Sequence, residues 1–178
     1  MNRDCFWLTE DQYSRLAPLL PSDTRGKPRV DDRRVISGIV HVLKSGGRWI
    51  DAPDVYGPHK TLYNRFVRWA AKGVWVDIFD ILASAGGPPT QVLIDSSAYD
   101  SNAIRRQIEG KGAMPNIPPK ANRRWKNCFS PLLYRNRNAI ERMFGRLKDF
   151  RRIATRYDRL ADNFLAAVCL AATVSYWL

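Results

Sequence analysis

A chain of 178 residues, 45% of them hydrophobic, is long enough for one ordinary core or two small ones and too apolar to stay disordered. Lys and Arg number 29 against 17 Asp and Glu, and the net charge of +12 points to a polyanionic partner, nucleic acid first. Three scattered cysteines without a C-x-x-C pair argue against a zinc ribbon or a disulfide framework and fit a reducing cytoplasm.

The N-terminal stretch MNRDCFWLTEDQ lacks the apolar run of a signal peptide. In LTEDQYSRLAPLL, Thr9 with Gln12 three residues on forms a capping-box pattern and predicts a first helix. PSDTRGKPR is a polar turn. DDRRVISGIVHVLKSGG predicts a second helix, capped by Asp31 or Asp32 and ended by Gly46-Gly47, with Val35, Ile39, Val42 and Leu43 on one face. RWIDAPDVYGP connects it to a third, HKTLYNRFVRWAAKG, stopped by Gly73, and VWVDIFDILASAGG is a fourth. Four short helices with glycine-containing connections suggest a helix-turn-helix-like domain over residues 8–86. The third helix would then read DNA through His59, Lys60, Asn64, Arg65 and Arg68, with Tyr63, Phe66 and Trp69 packing inward or stacking. A small helical bundle with a solvated charged face gives the same pattern.

Beyond Pro88-Pro89 the pattern changes. QVLID reads as a short buried strand ending in Asp95. SNAIRRQIEGKG is a helix from Ser101, and AMPNIPP is an extended segment or a short edge strand. KANRRWKNCFSP is a basic loop. A long helix from Leu132 to about Arg152 follows, then an apolar one from about Asp162 to Leu178, too short for a membrane span and read as buried. The expected fold is mainly α with a small α/β part over residues 91–178. That half carries 16 basic and 7 acidic side chains, all 16 between Arg105 and Arg159.

On the long helix, at about 100° per residue, Tyr134, Arg137, Glu141 and Lys148 fall within an arc of roughly 60°. Ile140, Met143, Phe144 and Leu147 form the adjoining apolar stripe. A glutamate on that edge can bind Mg²⁺ through oxygen, and its three neighbours can grip phosphate oxygens. A stabilised amphipathic surface helix would show the same spacing.

The spacing Tyr-x₂-Arg-x₃-Glu-x₆-Lys, complete here, resembles the signature of bacterial insertion-sequence transposases with a DDE catalytic core. The flanking ERMFGRLKDFRRIATRYDRLADNFLAAV is similar to the insertion-sequence-five group in particular. So are LTEDQYSRLAPLLP, GKPRVDDRRVISGIVHVLKSGGRWIDAP and YGPHKTLYNRFVRWAAKGVW in the N-terminal half, and AYDSNAIRRQIEGKGAMPNIPP after it. The resemblance covers nearly the whole chain.

It implies an N-terminal DNA-binding domain followed by a ribonuclease-H-like core. In that core two strand aspartates and one helix glutamate hold two divalent metals, Mg²⁺ or Mn²⁺, for phosphoryl transfer. It further implies double-stranded DNA with terminal inverted repeats as partner, a homo-oligomer or an intact transposase as possible protein partner, and a bacterial, nucleoid-associated location without a membrane. Asp95 and Glu141 take the catalytic and metal positions, and Tyr134, Arg137 and Lys148 contact DNA. VLIDSS resembles the first aspartate strand, yet it runs directly into the block that follows the second. One aspartate strand therefore stands where the family has two, and Asp100 is the only other nearby acid: it is the one candidate to complete the catalytic triad, although its position in the family caps the next helix. The chain reads as an internally deleted transposase with a truncated core and impaired catalysis. The alternative is a non-enzymatic DNA-binding protein that occupies transposon ends or modulates an intact transposase.

Overall fold

The computed structural model describes residues 5–21, 30–85, 87, 91–94, 96–135 and 138–178. Two compact units emerge. One joins Met1–Ala85 to Gly145–Leu178, and the other is Gly86–Phe144. The 8–86 and 91–178 division expected from sequence therefore differs from the observed packing, because the last stretch of chain folds with the first.

The first unit is helical. In α1 (Glu10–Leu16) the Thr9 hydroxyl accepts from the Gln12 backbone N–H, and the Gln12 side-chain oxygen accepts in turn from the Thr9 N–H, the expected capping box. In α2 (Asp32–Ser45) Asp31 is the cap, its carboxylate accepting from the Arg34 N–H, and Gly46 ends the helix at φ 71°. Val35, Ile36, Ile39, Val40 and Leu43 are fully buried, each contributing about 1.5–3 kcal/mol. Gly38 lies where a Cβ would come within 2.7 Å of the Tyr56 Cβ, so only glycine permits this approach to α2. The connector to α3 (His59–Ala71) forms two short 3-10 turns, Trp49–Asp51 and Asp54–Tyr56. Gly73 at φ 73° turns the chain tightly into α4 (Val74–Ser84).

Late in the chain, α8 (Arg151–Ala154) packs on α2, and α9 (Ala161–Tyr176) packs on α2, α3 and α4. Ala166, Ala167, Leu170 and Ala171 join Ile36, Leu62, Trp75 and Ile78 in one core. The apolar terminal helix is thus buried, as expected, against the N-terminal helices. No helix among the described residues is long and apolar enough to cross a membrane.

A buried ion pair fastens α8. Arg152 donates to both Asp158 oxygens at 2.8 and 2.9 Å and to the Gly47 carbonyl at 3.1 Å, with its guanidinium against the Trp49 and Tyr157 rings.

The second unit contains β1 (Gln91–Leu93) and β2 (Met114–Asn116), paired in parallel with Val92 opposite Pro115. Of the prolines that suggested an edge strand, Pro115 sits in one, since in a two-stranded sheet both strands are edges. Between them lies α5 (Asn102–Glu109), capped by the Ser101 hydroxyl. The capping role expected of Asp100 belongs to Ser101 instead.

The single helix expected from Leu132 to Arg152 is divided. α6 (Pro131–Tyr134) is one short turn, α7 spans Asn138–Lys148, and α8 is separate. The chain leaves the helix at Phe150, whose extended backbone (φ −83°, ψ 92°) turns its ring into the helical core at 2% exposure. Burying that ring is worth more than continuing one helical turn.

Candidate nucleic-acid interface and acidic site

On α3, the side facing the core carries Leu62, Phe66 and Trp69. The opposite side presents Lys60, Asn64 and Arg68, all exposed. Their i, i+4, i+8 spacing makes a polar stripe with about 6 Å between successive members. His59 is half-buried and lies beside Trp49, Ile50 and Tyr63 in a shallow groove at the start of the helix. Tyr63 is 45% exposed, with its ring edge-on to Trp49, whereas Phe66 and Trp69 pack inward.

Arg65 is engaged elsewhere. It forms an ion pair with Asp32, and its guanidinium lies 4.7 Å from the centre of the Trp69 ring. Both partners are largely buried, so removing one leaves a charge with neither water nor counterion. Arg65→Ala is expected to destabilise the helical unit by about 2 kcal/mol. Arg68→Ala should cost under about 0.5 kcal/mol. Urea unfolding midpoints of the two variants check this, and equal midpoints would remove the structural assignment of Arg65.

The basic block is likewise divided between fold and surface. Arg105 and Arg152 are buried in ion pairs, whereas Arg124, Lys126, Arg135, Arg142, Arg146, Lys148, Arg151, Arg156 and Arg159 are exposed.

Among the acidic candidates, Asp95 lies outside the described residues, as does Arg137. Glu141 and Lys148 are exposed on α7, while Tyr134 ends the separate helix α6, half-buried with its ring 5.1 Å from Phe129. Of the arc read along one helix, Tyr134 lies in α6 and Glu141 and Lys148 in α7, with Arg137 between them outside the described residues. Of the expected apolar stripe, Leu147 is half-buried, Met143 is 36% exposed and Phe144 53%, while the Ile140 side chain lies outside the described residues.

Asp100 has a different role from a metal ligand. Its side chain is fully buried. One oxygen accepts from Arg105 Nε at 2.8 Å. The other accepts from the Lys120 N–H at 3.0 Å and pairs with Arg123. Burial pushes the carboxyl up, but the Lys120 N–H, Arg105 and Arg123 together outweigh it and hold it at about 2. Two guanidiniums around one carboxylate leave the spot net positive, which repels a divalent cation. Among the described residues, no three His, Cys, Asp or Glu side chains gather where one metal could be held. Asp100, held by Arg105, Arg123 and the Lys120 N–H, therefore does not fit a metal pair.

Sequence reasoning missed Arg105 and Arg123 as partners of Asp100. The i, i+5 spacing of Asp100 and Arg105 was the available signal for one of them.

The chain matches two family models. Residues 8–79 match the model of transposases of the IS4/5 family (DUF4096), and residues 92–178 match the transposase DDE domain. Among curated proteins it is 32% identical over 117 residues to the uncharacterized protein y4sN of Sinorhizobium fredii, covering 63% of this chain and 92% of that one. It is 30% identical over 122 residues to the insertion element IS402 uncharacterized 16.2 kDa protein of Burkholderia cepacia, covering 64% and 82%. No solved structure matches it.

Proposed function

We propose, for a chain that belongs to the IS4/5 family of insertion-element transposases, that it binds the terminal inverted repeats of its element as duplex DNA and cleaves them weakly or not at all by itself. The family generally uses divalent metal, Mg²⁺ or Mn²⁺, which would polarise a phosphoryl oxygen and activate the attacking water or 3′-hydroxyl. The engagement of Asp100 carries the reading of weak catalysis. It leaves Asp95 and Glu141 as the catalytic acids to test.

DNA recognition rests on α3 in a helix-turn-helix-like role. Lys60 and Arg68 meet phosphates, Asn64 reads a base edge, and His59 flanks them. The exposed cations between Arg105 and Arg159, Lys148 among them, add backbone contacts that carry no sequence information, and Arg137 is proposed to do the same. The chain acts in the bacterial cytoplasm at the nucleoid, as a homo-oligomer or beside an intact transposase.

The test is binding to a duplex of the element's terminal repeat and to random duplex across a salt series, followed by cleavage with Mg²⁺ and Mn²⁺. Asn64→Ala should cost about 1–3 kcal/mol on the repeat and little on random DNA. Lys60→Ala should weaken both and lower the salt slope by about one. Cleavage should be no greater than in Glu141→Gln. Equal affinity for repeat and random DNA overturns specific recognition. Strong cleavage lost in Glu141→Gln overturns the impaired site, and Asp95→Asn would then test the second ligand.

A further inference from the structure

We propose that the loop between Asn116 and Ser130 is a stacking arm for unpaired nucleotides, with Trp125 as its platform. This rests on the reading that the chain binds DNA and adds a single-stranded element to it. Trp125 is 82% exposed, whereas Trp69 and Trp75 are buried at 5% and 1% and Trp7 is at 38%. Its neighbours Arg124 and Lys126 are exposed too. From residue 110 to residue 140 the chain has seven basic side chains and no acidic one.

The loop is built to hold its tip out. Its base is closed by a reciprocal pair, Asn116 Nδ2 donating to the Ser130 carbonyl at 3.2 Å and the Ser130 N–H donating to Asn116 Oδ1 at 3.0 Å. The outgoing limb is stapled by Arg105 to the Ile117 carbonyl at 2.8 Å and by the Asp100 carboxylate to Lys120 and Arg123. Arg123 also donates to Asn102 Oδ1 at 2.8 Å. Just past this last anchor stand Arg124, Trp125 and Lys126. A loop anchored at its base and along one limb pays less ordering entropy on binding than a free tail.

The chemistry of the tip selects the ligand. A Trp side chain has about 150–250 Å² of surface to bury, part of it a flat π-face, and here most of it faces water. Its two charged neighbours disfavour an apolar protein surface and favour a partner with a flat π-face beside negative charge. A nucleotide has both. In a duplex the base faces are already stacked, so the face is free only where strands are unpaired. Such stacking tolerates any base, because every base has a π-face.

The test uses the full chain and fluorescein-labelled DNA followed by anisotropy. The probes are a single-stranded thymidine oligomer, a duplex with an unpaired 3′ overhang, and the blunt duplex. Trp125→Ala should weaken binding to the first two by about tenfold or more and leave the blunt duplex within about twofold. Trp125→Phe keeps a stacking ring and should restore most of the loss. The wild-type minus Trp125→Phe fluorescence difference should be quenched by the oligomer. Trp125→Ala should keep the wild-type circular dichroism spectrum, since the ring is exposed. Unchanged affinity for all three probes overturns the stacking arm while leaving duplex binding by α3 intact. An equal loss on all three overturns it as well, because Trp125 would then serve shape or general affinity. If the wild type binds none of the probes, the DNA-binding reading itself fails and the arm with it.

Discussion

Replacing Asp100 with alanine is expected to melt the Gly86–Phe144 unit while the helical unit stays folded. The substitution leaves Arg105 buried at 5% exposure without its carboxylate and frees Lys120 and Arg123 from the chain they hold. Removing one partner of a buried ion pair costs about 3–5 kcal/mol. This unit has little to set against that, with two three-residue strands and a two-turn helix. Hydrogen exchange should show amide protection lost between residues 96 and 130 and retained in α2, α3 and α4. Unchanged protection in the loop would mean that Asp100 is not its staple.

The same group sets a pH dependence. Its folded carboxyl is held at about 2, below the usual carboxylate value of about 4. A depressed folded value means that the unfolded chain binds the proton more readily. The stabilisation is therefore fully present above about pH 4 and is lost as pH falls toward 2. Loop protection in the wild type should decline across that window. Asp100→Asn should lack that component of the decline, having no carboxyl to protonate.

Much of the local structure was legible because its causes are local. Thr9 with Gln12, Asp31, Gly46 and Gly73 mark helix ends through bonds and backbone angles spanning a few residues, and the structure places those ends there. Short strands at QVL and MPN were legible from an apolar run and from a proline, Pro115, that only an edge admits. The misreadings all involve partners far apart in sequence or in different elements. The 3.6-residue periodicity runs through Phe150, so one long helix was expected. What breaks it is a core contributed largely by residues more than 60 positions earlier. Arg65 and Asp100 were read by residue type as a DNA contact and a candidate third catalytic acid. Their actual partners, Asp32 for the first and Arg105 and Arg123 for the second, lie 33, 5 and 23 positions away. An amphipathic pattern shows which face is apolar and says nothing about what covers it. That is why the apolar stripe of α7 was legible while the 53% exposure of Phe144 was not.

The largest effect is expected from removing α9. Residues 8–86 read from sequence as a self-sufficient domain, yet α9 supplies one wall of their core. Ala166, Ala167, Leu170 and Ala171 are each at most 1% exposed, packed in the core that holds Trp75, Ile78 and Leu62. The alanines let α9 approach closely, and without it the apolar side of α4 faces water. An isolated 8–86 fragment should therefore show weak helicity and a broad, non-cooperative thermal transition. In the full chain, Leu170→Ala should cost about 2–5 kcal/mol by opening a cavity. That is a large share of the roughly 5–15 kcal/mol by which a domain is stable. Leu170→Asp, which buries a charge without a partner, should unfold the helical unit outright. Circular dichroism melts of the three proteins check the order. DNA binding should fall with the fold, because Lys60, Asn64 and Arg68 are aligned only while Leu62, Phe66 and Trp69 hold the underside of α3 to the core. A sharp melt and full repeat affinity from the 8–86 fragment would show that α9 is dispensable. Failure of that fragment, with recovery when residues 145–178 are joined to it by a linker, would show that the reading surface depends on the end of the chain.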